Sequence, residues 1–473
     1  MKVPGTEDTP LRVAIIGAGP AAFYAADHLL KQSDVHVQID MFDRLPTPFG
    51  LVRGGVAPDH QNIKNVTRVF HKTAQQPGFR FFGNVEFGSD LLLDDLRRHY
   101  HQIFYATGAQ TDRSLGIPGE DLAGSHSATE FVAWYNGHPD YRHFAFDLSA
   151  ERVAVVGIGN VAVDVARILC RTPEELAATD ITDYAFDALS QSRVREVHML
   201  GRRGPLQAAF TPPEVKELGE MEDADARVLP EEADLDPLSL EDLQEADRNA
   251  RRNVEIVQKF AAREPAGKSR RLFIRFLVSP VEILGEAEGR VTGIRLVRNE
   301  LYRGGNGRLR PRAVDSYEEL PVQLVFRSVG YEGVPLAEVP FNEDWNVILN
   351  DCGRVLDVAK RRHVVGEYVG GWIKRGPSGV IGTNKADAVE TVACMLEDLK
   401  AGAVLDPPEP TVEAAERMIR DRQPEYFSYE DWMRIDEMET ELGKDCGRPR
   451  VKFTSVAEMR RALRRERSTA ERS

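Results

Sequence analysis

Two glycine-rich stretches about 140 residues apart constrain the fold of this 473-residue chain more than any other feature. Residues 17–22 read GAGPAA and residues 157–162 read GIGNVA. Both match the pattern G-x-G-x-x-A, and each lies between an apolar strand-like run and a helix-like run, as in a dinucleotide-binding turn. Glycine permits the tight turn and lets the backbone approach a pyrophosphate, which then lies on the helix N-terminus. The sequence therefore predicts two dinucleotide-binding units.

The residues that end the next strand of each unit indicate which dinucleotide binds there. In the first unit Asp43 stands 24 residues beyond Gly19, where a carboxylate accepts hydrogen bonds from an unmodified ribose and repels a 2′-phosphate. The first site is thus predicted to take FAD or NAD. The second unit instead has Arg202 and Arg203 at the strand end, and guanidinium groups match phosphate oxygens. We predict NADP(H) there, with two solvated arginines as the alternative.

Two further strand-like runs indicate how the units are joined. Residues 102–108 end in Thr-Gly, and residues 322–329 lead into Gly330, so both are places where the chain can cross between units. We predict an α/β protein with two Rossmann-like dinucleotide-binding domains, in the plan of the glutathione-reductase-like flavoproteins. The NADP(H)-binding domain, residues 109–327, is expected to be inserted in a discontinuous FAD-binding domain formed by residues 1–108 and 328–473.

A third glycine-rich stretch, GPSGVIGT at residues 376–383, opens into a helix-like run. An enzyme with one FAD and one NADP(H) moves a hydride between nicotinamide C4 and flavin N5. Reduction leaves negative charge near flavin N1 and O2, which a helix N-terminus stabilises. We expect this stretch to provide that N-terminus, and an ordinary glycine-rich turn is the alternative.

Composition and cysteine spacing argue against several other functions. The chain has 61 Lys and Arg against 75 Asp and Glu, and the net charge of −14 opposes binding to nucleic acid or to an anionic membrane. No apolar run approaches the ~18 residues of a membrane span. The four cysteines lie far apart without a C-x-x-C, which argues against a disulfide framework, a zinc or iron–sulfur site and a dithiol centre. We expect a cytoplasmic protein without a metal, a nucleic-acid partner or integral membrane association.

The negative charge is concentrated in one segment. Residues 221–247 contain eleven acids and one arginine, whereas residues 248–275 contain nine Lys and Arg and two acids. One interpretation is a solvated insertion followed by a salt-bridged helix. The other is a docking surface for an acidic partner.

Four segments are together specific for one family: PTPFGLVRGGVAPDHQNIKNV at residues 46–66, GNVAVDVARIL at 159–169, GRRGP at 201–205 and GWIKRGPSGVIGTNKADA at 371–388. They resemble the adrenodoxin-reductase type of ferredoxin–NADP⁺ reductase, including its bacterial members. The resemblance runs from residue 11 to about residue 460 and is weakest at residues 221–247. It implies an enzyme that carries FAD, oxidises NADPH and passes single electrons to a ferredoxin, which can supply a cytochrome P450 or other iron–sulfur-dependent enzymes.

The resemblance also implies site residues. The residues expected at FAD are Gly17, Gly19, Ala21, Asp43, Leu51, Val85, Trp372, Gly379, Val380 and Ile381. Those expected at NADP(H) are Gly159, Asn160, Val161, Ala162, Arg202, Arg203, Glu214 and Gly379. Near the flavin and nicotinamide, His60, Asp164 and Glu214 are the catalytic candidates. The family binds its acidic ferredoxin at a basic surface, for which Lys31, Arg248, Arg251 and Arg252 are the candidates.

Several of these residues have structural interpretations that the sequence leaves open. His60 would then only cap or pack the following helix, and Glu214 would only be a first-turn acid after two prolines. Asp164 would only bond the backbone or Arg167, and Trp372 would only pack in the core.

Two other functions also stay open at this point. One is the electron-entry subunit of a larger complex, like the glutamate synthase small chain, which shares the two motifs. That class carries an N-terminal cysteine-rich iron–sulfur segment, whereas the first cysteine here is Cys170. The other is a flavin-binding protein without turnover.

Overall fold

The computed structural model describes residues 4–286 and 289–470. In these ranges the helices are α1 (Pro20–Leu30), α2 (Leu51–Gly54), α3 (Gln61–Lys64), α4 (Thr67–Ala74), α5 (Leu93–His99), α6 (Ala128–Asn136), α7 (Asn160–Cys170), α8 (Pro173–Ala177), α9 (Asp183–Ser190), α10 (Pro212–Leu218), α11 (Pro230–Ala233), α12 (Pro237–Leu243), α13 (Arg248–Ala262), α14 (Trp372–Arg375), α15 (Thr383–Ala401), α16 (Val412–Arg422), α17 (Tyr429–Asp445) and α18 (Val456–Ala470). The strands are β1 (Leu11–Ile16), β2 (Val37–Asp43), β3 (Phe79–Gly83), β4 (Gln102–Tyr105), β5 (Thr111–Asp112), β6 (Ser125–Ser127), β7 (Arg152–Val156), β8 (Glu196–Leu200), β9 (Ala224–Arg227), β10 (Arg270–Arg275), β11 (Val278–Gly285), β12 (Val291–Arg303), β13 (Leu309–Leu320), β14 (Leu324–Arg327), β15 (Tyr331–Glu332), β16 (Asn350–Asp351), β17 (Arg354–Asp357) and β18 (Arg362–Val369).

The first glycine motif follows a strand of a seven-stranded sheet, with strand order β16-β17-β18-β4-β1-β2-β3. The strands from β18 to β3 run parallel, and β16 and β17 extend the edge in antiparallel pairing. All six residues of β1 are buried, as expected for a central parallel strand that is covered on both faces. Because β16, β17 and β18 follow β14 in the chain, the polypeptide returns to this sheet after building a second one.

The second glycine motif follows β7 of a six-stranded sheet, with strand order β6-β14-β7-β8-β10-β9. All of its strand pairs are parallel. Two parallel sheets, each with a glycine-rich turn after a central strand, confirm the predicted pair of Rossmann-like domains.

The chain passes between the two sheets twice, and the two passages pair with each other. β5 and β15 form a two-stranded antiparallel ribbon in which Tyr331 lies opposite Asp112 and Glu332 opposite Thr111. The ribbon lies just beyond both expected crossings. We propose the domain bounds given above, residues 1–108 with 328–473 and residues 109–327, on the basis of this division.

A three-stranded antiparallel sheet, β11-β12-β13, packs beside the second parallel sheet. Its residues Val278, Ile294 and Leu296 share one buried apolar cluster with Val156 of β7 and Leu200 of β8. This packing places the start of β11 next to the turn that follows β8.

Residues 224–227 of the acidic segment belong to the second sheet, so the interpretation as a solvated insertion is wrong there, whereas six of the eleven acids of the segment are exposed. Its strand β9 pairs with β10 at the sheet edge. The buried carboxylate of Glu232 accepts hydrogen bonds from Phe276 N at 2.8 Å and from Arg275 Nε at 3.0 Å. Asp225 accepts from Gly267 N at 3.0 Å. These acids bind backbone groups and arginines of the following basic stretch.

Among the helices of the described residues, none combines the length and the apolar character that crossing a bilayer requires.

Candidate active site

A cleft of about 1720 Å³ is lined by residues of both parallel sheets, at the ends of β1 and β7. Ligands of open α/β sheets bind at the carboxyl ends of the strands, and both glycine motifs lie at such ends. The structure thus brings the two motifs to a single cleft.

The first motif combines a tight turn with an open face. Gly17 has φ +102°, and a Cβ there would lie 2.5 Å from Ala106 O, so only glycine fits without a shift. Gly19 precedes α1, and a Cβ there would have no atom within 4 Å. This open space beside a helix N-terminus is the shape that a pyrophosphate requires. Both oxygens of Asp43 accept backbone N–H groups, Oδ2 from Ala18 at 2.8 Å and Oδ1 from Leu45 at 2.8 Å.

Asp43 stabilises the turn and can still accept hydrogen bonds from a ligand. Each carboxylate oxygen has a second acceptor position, which suits the hydroxyls of a ribose. Burial raises the pKa of Asp43 against the effect of its two backbone hydrogen bonds.

The second motif repeats this geometry. Gly157 has φ +139°, and a Cβ there would collide with Ser328 O. Gly159 precedes α7, and a Cβ there would again have no atom within 4 Å. Asn160 Oδ1 accepts the Thr211 N–H at 2.8 Å, which ties the motif to the start of α10.

The two arginines after β8 lie at the cleft without an anionic partner. Arg202 is exposed, Arg203 is half-buried, and both line the cleft. In the part of the chain that the structure describes, neither guanidinium forms an ion pair. Burial and the neighbouring Arg202 hold the pKa of Arg203 below its usual value. Two adjacent cations without a counter-ion can bind a dianionic phosphate by charge-assisted hydrogen bonds.

The third glycine-rich stretch completes the wall beside the first motif. Gly371 has φ +78°, and a Cβ there would lie 2.7 Å from Ala21 Cβ, so this backbone packs directly on α1. The centre of the Trp372 ring lies 5.5 Å from that of Tyr331 with the planes tilted by 34°, and its Nε1 donates to Ser378 O at 3.2 Å. The 19-residue helix α15 begins beside the cleft with no side-chain cap at Gly382. Its first N–H groups, at Thr383, Asn384 and Lys385, donate to backbone carbonyls of the preceding turn. Among the described residues, the N–H groups of Gly379 and Ile381, just before the helix, have no hydrogen-bond partner and can serve a ligand at the positive end of the helix.

His60 stands just before α3, but its side chain does not cap that helix. Its Nε2 lies 2.8 Å from Glu217 Oε2 and 3.6 Å from Glu214 Oε2, and its Nδ1 lies 3.8 Å from Asp164 Oδ1. Arg167 Nη2 lies 3.4 Å from the same Nδ1. Because a guanidinium only donates, Nδ1 accepts, and in the neutral ring the proton lies on Nε2 and is donated to Glu217.

Arg167 is the fully buried centre of this cluster. Its Nε donates to Asp59 Oδ2 at 2.8 Å and its Nη2 donates to Asp164 Oδ1 at 2.7 Å. Its Nη1 lies 3.6 Å from Glu214 Oε2, and both of these buried atoms lack a hydrogen-bond partner. Arg167 therefore links α7 of the second sheet to the APDH segment of the first.

Contacts within the cluster raise the pKa of some members and lower that of others. Burial, reinforced by Asp164, raises the pKa of Glu214 to about 7. Burial opposes a charged His60, but the hydrogen bond to Glu217 and the carboxylates of Asp164 and Asp59 raise the pKa of His60 overall. The His60 hydrogen bond lowers the pKa of Glu217. The cleft thus holds groups that change protonation near neutral pH.

Sequence reasoning missed Asp59 and Glu217 as members of this cluster, and it named Arg167 only as a structural partner of Asp164, with which it does bond. Each has a local signal, since Asp59 lies within the APDH segment and Arg167 and Glu217 each follow a predicted site residue by three positions on a helix. The ligand atoms of His60, Glu214 and Glu217 lie within 4.8 Å of one another, as in a metal site. Arg167 Nη1 already lies 3.6 Å and 3.9 Å from the two glutamates, so its positive charge opposes the binding of a metal ion beside them.

The structure places the predicted site residues as follows. Those that line the cleft are Gly17, Gly19, Ala21, Asp43, Leu51, His60, Val85, Gly159, Asn160, Val161, Asp164, Arg202, Arg203, Glu214, Trp372, Gly379, Val380 and Ile381. Ala162 is buried on α7 behind the second motif. The docking candidates Lys31, Arg248, Arg251 and Arg252 are exposed and lie outside the cleft lining.

The residues at the two glycine motifs and at the ends of the following strands fit the two dinucleotides. Gly19 and Gly159 leave open space where a pyrophosphate must approach, and Arg202 and Arg203 lack a counter-ion where a 2′-phosphate would lie. Asp43 occupies the corresponding place in the first unit. The donor sets therefore suit FAD at the first motif and NADP(H) at the second.

Known proteins resemble the whole chain. Residues 11–218 match the family of pyridine nucleotide-disulphide oxidoreductases. The chain is 46% identical over 460 residues to NADPH-ferredoxin reductase FprA of Mycobacterium tuberculosis, covering 96% of this chain and 99% of that protein. It is 41% identical over 468 residues to mitochondrial NADPH:adrenodoxin oxidoreductase of Homo sapiens, covering 97% and 92%.

A solved structure extends the similarity to three dimensions. The structure of Mycobacterium tuberculosis FprA in complex with NADPH matches this fold with a TM-score of 0.90 at 45% identity, covering 96% of this chain and 100% of that one. Full-length similarity of this degree, together with the cleft, means that the chain belongs to the adrenodoxin-reductase type of ferredoxin–NADP⁺ reductases.

Proposed function

We propose that the protein is an FAD-dependent NADPH:ferredoxin oxidoreductase. One observation carries this assignment: a single cleft joins a glycine motif paired with Asp43 to a second glycine motif paired with Arg202 and Arg203. FAD, when bound, accepts a hydride at N5 and releases the electrons one at a time, which suits a one-electron carrier such as a ferredoxin.

The first motif and the third glycine-rich stretch are proposed to hold FAD. Gly17 and Gly19 form the turn, the Asp43 carboxylate would accept the ribose hydroxyls, and Trp372, beside Tyr331, would lie against the cofactor. The stretch Gly379 to Ile381, just before the N-terminus of α15, is proposed to offer the N–H groups of Gly379 and Ile381 to the cofactor, on the side of the positive end of the helix. Such donors stabilise negative charge without reorganising.

The second motif and the arginines are proposed to hold NADP(H). The backbone of residues 159–162 receives the pyrophosphate at the start of α7, and Arg202 and Arg203 receive the 2′-phosphate. His60, Asp164 and Glu214 are proposed as the catalytic groups between the two cofactors. The hydrogen bonds to Arg167 and Glu217 fix the His60 ring, and burial raises the pKa of Glu214 so that it is partly protonated near neutral pH.

The partner is proposed to be an acidic ferredoxin that docks on basic side chains. Arg248, Arg251 and Arg252 lie on the exposed side of α13, which packs against α10 and thus lies one layer from Glu214. Lys31 is also exposed and pairs with Asp27 at 2.7 Å. We propose a cytoplasmic location, because the four cysteines are all unpaired.

The test is reduction of cytochrome c by NADPH with and without added ferredoxin. The purified protein is expected to be yellow, and rapid cytochrome c reduction is expected to require ferredoxin. Replacing Arg202 and Arg203 by alanine should raise the KM for NADPH and leave the KM for NADH nearly unchanged, since only NADPH has the 2′-phosphate. Reduction that does not depend on ferredoxin, or equal effects on both nucleotides, would refute the assignment.

A further inference from the structure

The turn that carries Arg202 and Arg203 is fixed by residues of the three-stranded sheet. Leu277 N donates to Arg203 O at 3.2 Å, just before β11 begins. Asn299 of β12, only 8% exposed, donates from Nδ2 to Arg202 O at 3.0 Å. The acceptor is a backbone carbonyl, so this atom of Asn299 must be the nitrogen.

Asn299 is itself held firmly. Its backbone N donates to Leu277 O at 2.8 Å. The pairing of β12 with β13 shifts register between Val297 and Asn299, and such a bulge redirects a side chain locally. The side-chain amide of Asn299 therefore contacts the turn after β8, and its backbone is held in place.

The same nitrogen of Asn299 also donates to Ser279 Oγ, at 2.8 Å. Both amide protons are thereby used, and the Ser279 oxygen acts as the acceptor. A hydroxyl also has one proton to donate, and within residues 4–286 and 289–470 Ser279 Oγ donates it to no protein group. Ser279 is half-buried and lines the cleft together with Arg202 and Arg203.

We propose that Ser279 is a binding residue for the 2′-phosphate of NADP(H) and that Asn299 is its positioning residue. Asn299 holds the Ser279 oxygen as an acceptor, which directs the Ser279 proton away from the protein and toward the phosphate. Through its hydrogen bond to Arg202 O, Asn299 also fixes the position of the Arg202 backbone. This inference rests on the proposed function, which places NADP(H) at this turn.

The three groups divide the recognition between them. Arg202 and Arg203 supply positive charge, and Ser279 supplies a neutral donor at a fixed place. A hydrogen bond to a charged acceptor is stronger than one to a neutral hydroxyl. Ser279 therefore favours a nucleotide with a 2′-phosphate over one with a free 2′-hydroxyl, and it does so without attracting anions in general.

The test measures binding of adenosine 2′,5′-bisphosphate and of adenosine 5′-monophosphate to the FAD-loaded enzyme by titration calorimetry. Ser279→Ala should weaken the bisphosphate about tenfold, the usual loss of a hydrogen bond to a charged group, and leave the monophosphate unchanged. Ser279→Thr keeps the hydroxyl and should retain most of the affinity. Asn299→Asp keeps the size but removes both amide donors, and it should weaken the bisphosphate by more than Ser279→Ala does.

Ser316→Ala, which removes an exposed hydroxyl from β13 of the same sheet, is the matched control and should have no effect. Unchanged bisphosphate affinity in Ser279→Ala would overturn the inference even if the wild type prefers the bisphosphate. A wild type that binds both nucleotides equally would instead refute the proposed NADP(H) site itself. If Asn299→Asp does not fold, the alanine and threonine variants of Ser279 still decide the question.

Discussion

Arg167 controls the electrostatics of the cleft from a fully buried position. A buried charge is tolerated only when partners compensate for lost hydration, and Arg167 binds Asp59 and Asp164 directly. Glu214 lies 3.6 Å from Nη1 but forms no hydrogen bond with it. Arg167 is thus already neutralised by the two aspartates, which leaves Glu214 as the group that gives up its charge.

We predict that Glu214→Gln stabilises the protein at alkaline pH. Because the folded pKa of about 7 lies above the unfolded value, the contribution of Glu214 to stability falls as pH rises from roughly 4.5 to 7 and is constant above that. The glutamine variant lacks this loss. Its free energy of unfolding should therefore equal that of the wild type at pH 4 and exceed it by on the order of 2 kcal/mol at pH 8. Thermal unfolding midpoints across this pH range provide the measurement.

Glu217→Gln is the matched control, with the opposite sign. Its hydrogen bond to His60 lowers the pKa of Glu217, so this carboxylate stabilises the fold above its unfolded pKa and the contribution disappears in acid. The Glu217 variant should therefore lose stability at alkaline pH. If the unfolding midpoints of both variants change in the same direction at every pH, the assignment of a neutral Glu214 and a charged Glu217 is contradicted.

The sequence was sufficient to predict the residues of the two motifs and insufficient to predict the cluster around His60. Gly17, Gly19 and Asp43 are local to one strand–helix–strand unit, so their spacing alone carries the information. The partners of His60 come from α7 and α10, more than 100 residues away in the chain. Only the packing of two sheets brings them together, and no local pattern encodes that.

The turns before α1 and α7 are equivalent elements with different predicted ligands. In both, the first glycine is required by the turn and the second faces open space. A methyl group added at the second glycine contacts no protein atom. Its substitution by alanine can therefore impair ligand binding without disturbing the fold.

We predict that Gly19→Ala and Gly159→Ala lose different cofactors. Gly19→Ala should weaken FAD binding by about tenfold or more, corresponding to ~1.4 kcal/mol or more, because the methyl group occupies the path of the pyrophosphate. Gly159→Ala should retain FAD and weaken NADPH binding by a similar factor. Flavin fluorescence on dilution and NADP⁺ titration measure the two affinities. Loss of FAD from both variants alike would contradict the assignment of the two turns.

Helix α13 carries the exposed arginines on an amphipathic helix whose other face is buried. Its Arg252 pairs with Glu255 at 2.6 Å, and Arg251 donates to Gln244 O at 2.6 Å. Val257 and Phe260 anchor the helix in the core of the second sheet. The arginines are therefore displayed on a rigid element, which suits recognition of a charged partner.

Charge reversal of Arg248, Arg251 and Arg252 to glutamate should raise the KM for ferredoxin roughly tenfold and reduce its dependence on salt. NADPH oxidation by ferricyanide should not change. Reversal of Arg308, Arg310 and Arg312, which are exposed on or beside β13, makes the same change in net charge and is the control. If the control weakens ferredoxin coupling as much as the α13 variant, the docking surface is misplaced.

Across the whole molecule, a segment between α17 and α18 ties the two parallel sheets together. Lys452 Nζ lies 3.3 Å from Asp180 Oδ1, and Lys64 Nζ lies 2.7 Å from the same oxygen. Arg448 donates to Thr179 O at 3.1 Å and lies 2.6 Å from Asp183 Oδ1. Because hydride transfer requires a fixed distance between two cofactors on different sheets, these bonds serve the geometry of the cleft.

We predict that Asp180→Asn destabilises the protein by about 3 kcal/mol, since it leaves two buried lysines without their counter-ion. Although burial opposes ionisation, Lys452 and Lys64 hold the pKa of Asp180 below its usual value. Its contribution is therefore present above the unfolded pKa of ~3.9 and is lost as pH falls below it. Denaturant unfolding at pH 7 provides the measurement, and at pH 4 the difference between the two proteins should still be nearly as large, because the loss occurs only below the unfolded pKa. Asp183→Asn, on a side chain that is 67% exposed, is the control and should cost less than ~1 kcal/mol.

The two-domain fold was predictable from the two motifs because each strand–turn–helix unit is a local pattern with one stable packing on a parallel sheet. The place of residues 221–247 was not predictable in the same way. All of their acids look solvated in the sequence, but Asp225 and Glu232 are buried because Arg275 of β10 and nearby backbone N–H groups donate to them.

The central claim is that electrons pass from NADPH through this cleft to a ferredoxin, and anaerobic rapid mixing tests it most directly. One equivalent of NADPH should bleach the visible flavin absorbance of the purified enzyme, roughly 100-fold faster than the same amount of NADH because of the 2′-phosphate contacts. Two equivalents of oxidised ferredoxin should then restore the absorbance. Equal bleaching by both nucleotides, or an absorbance that ferredoxin does not restore, would contradict the account.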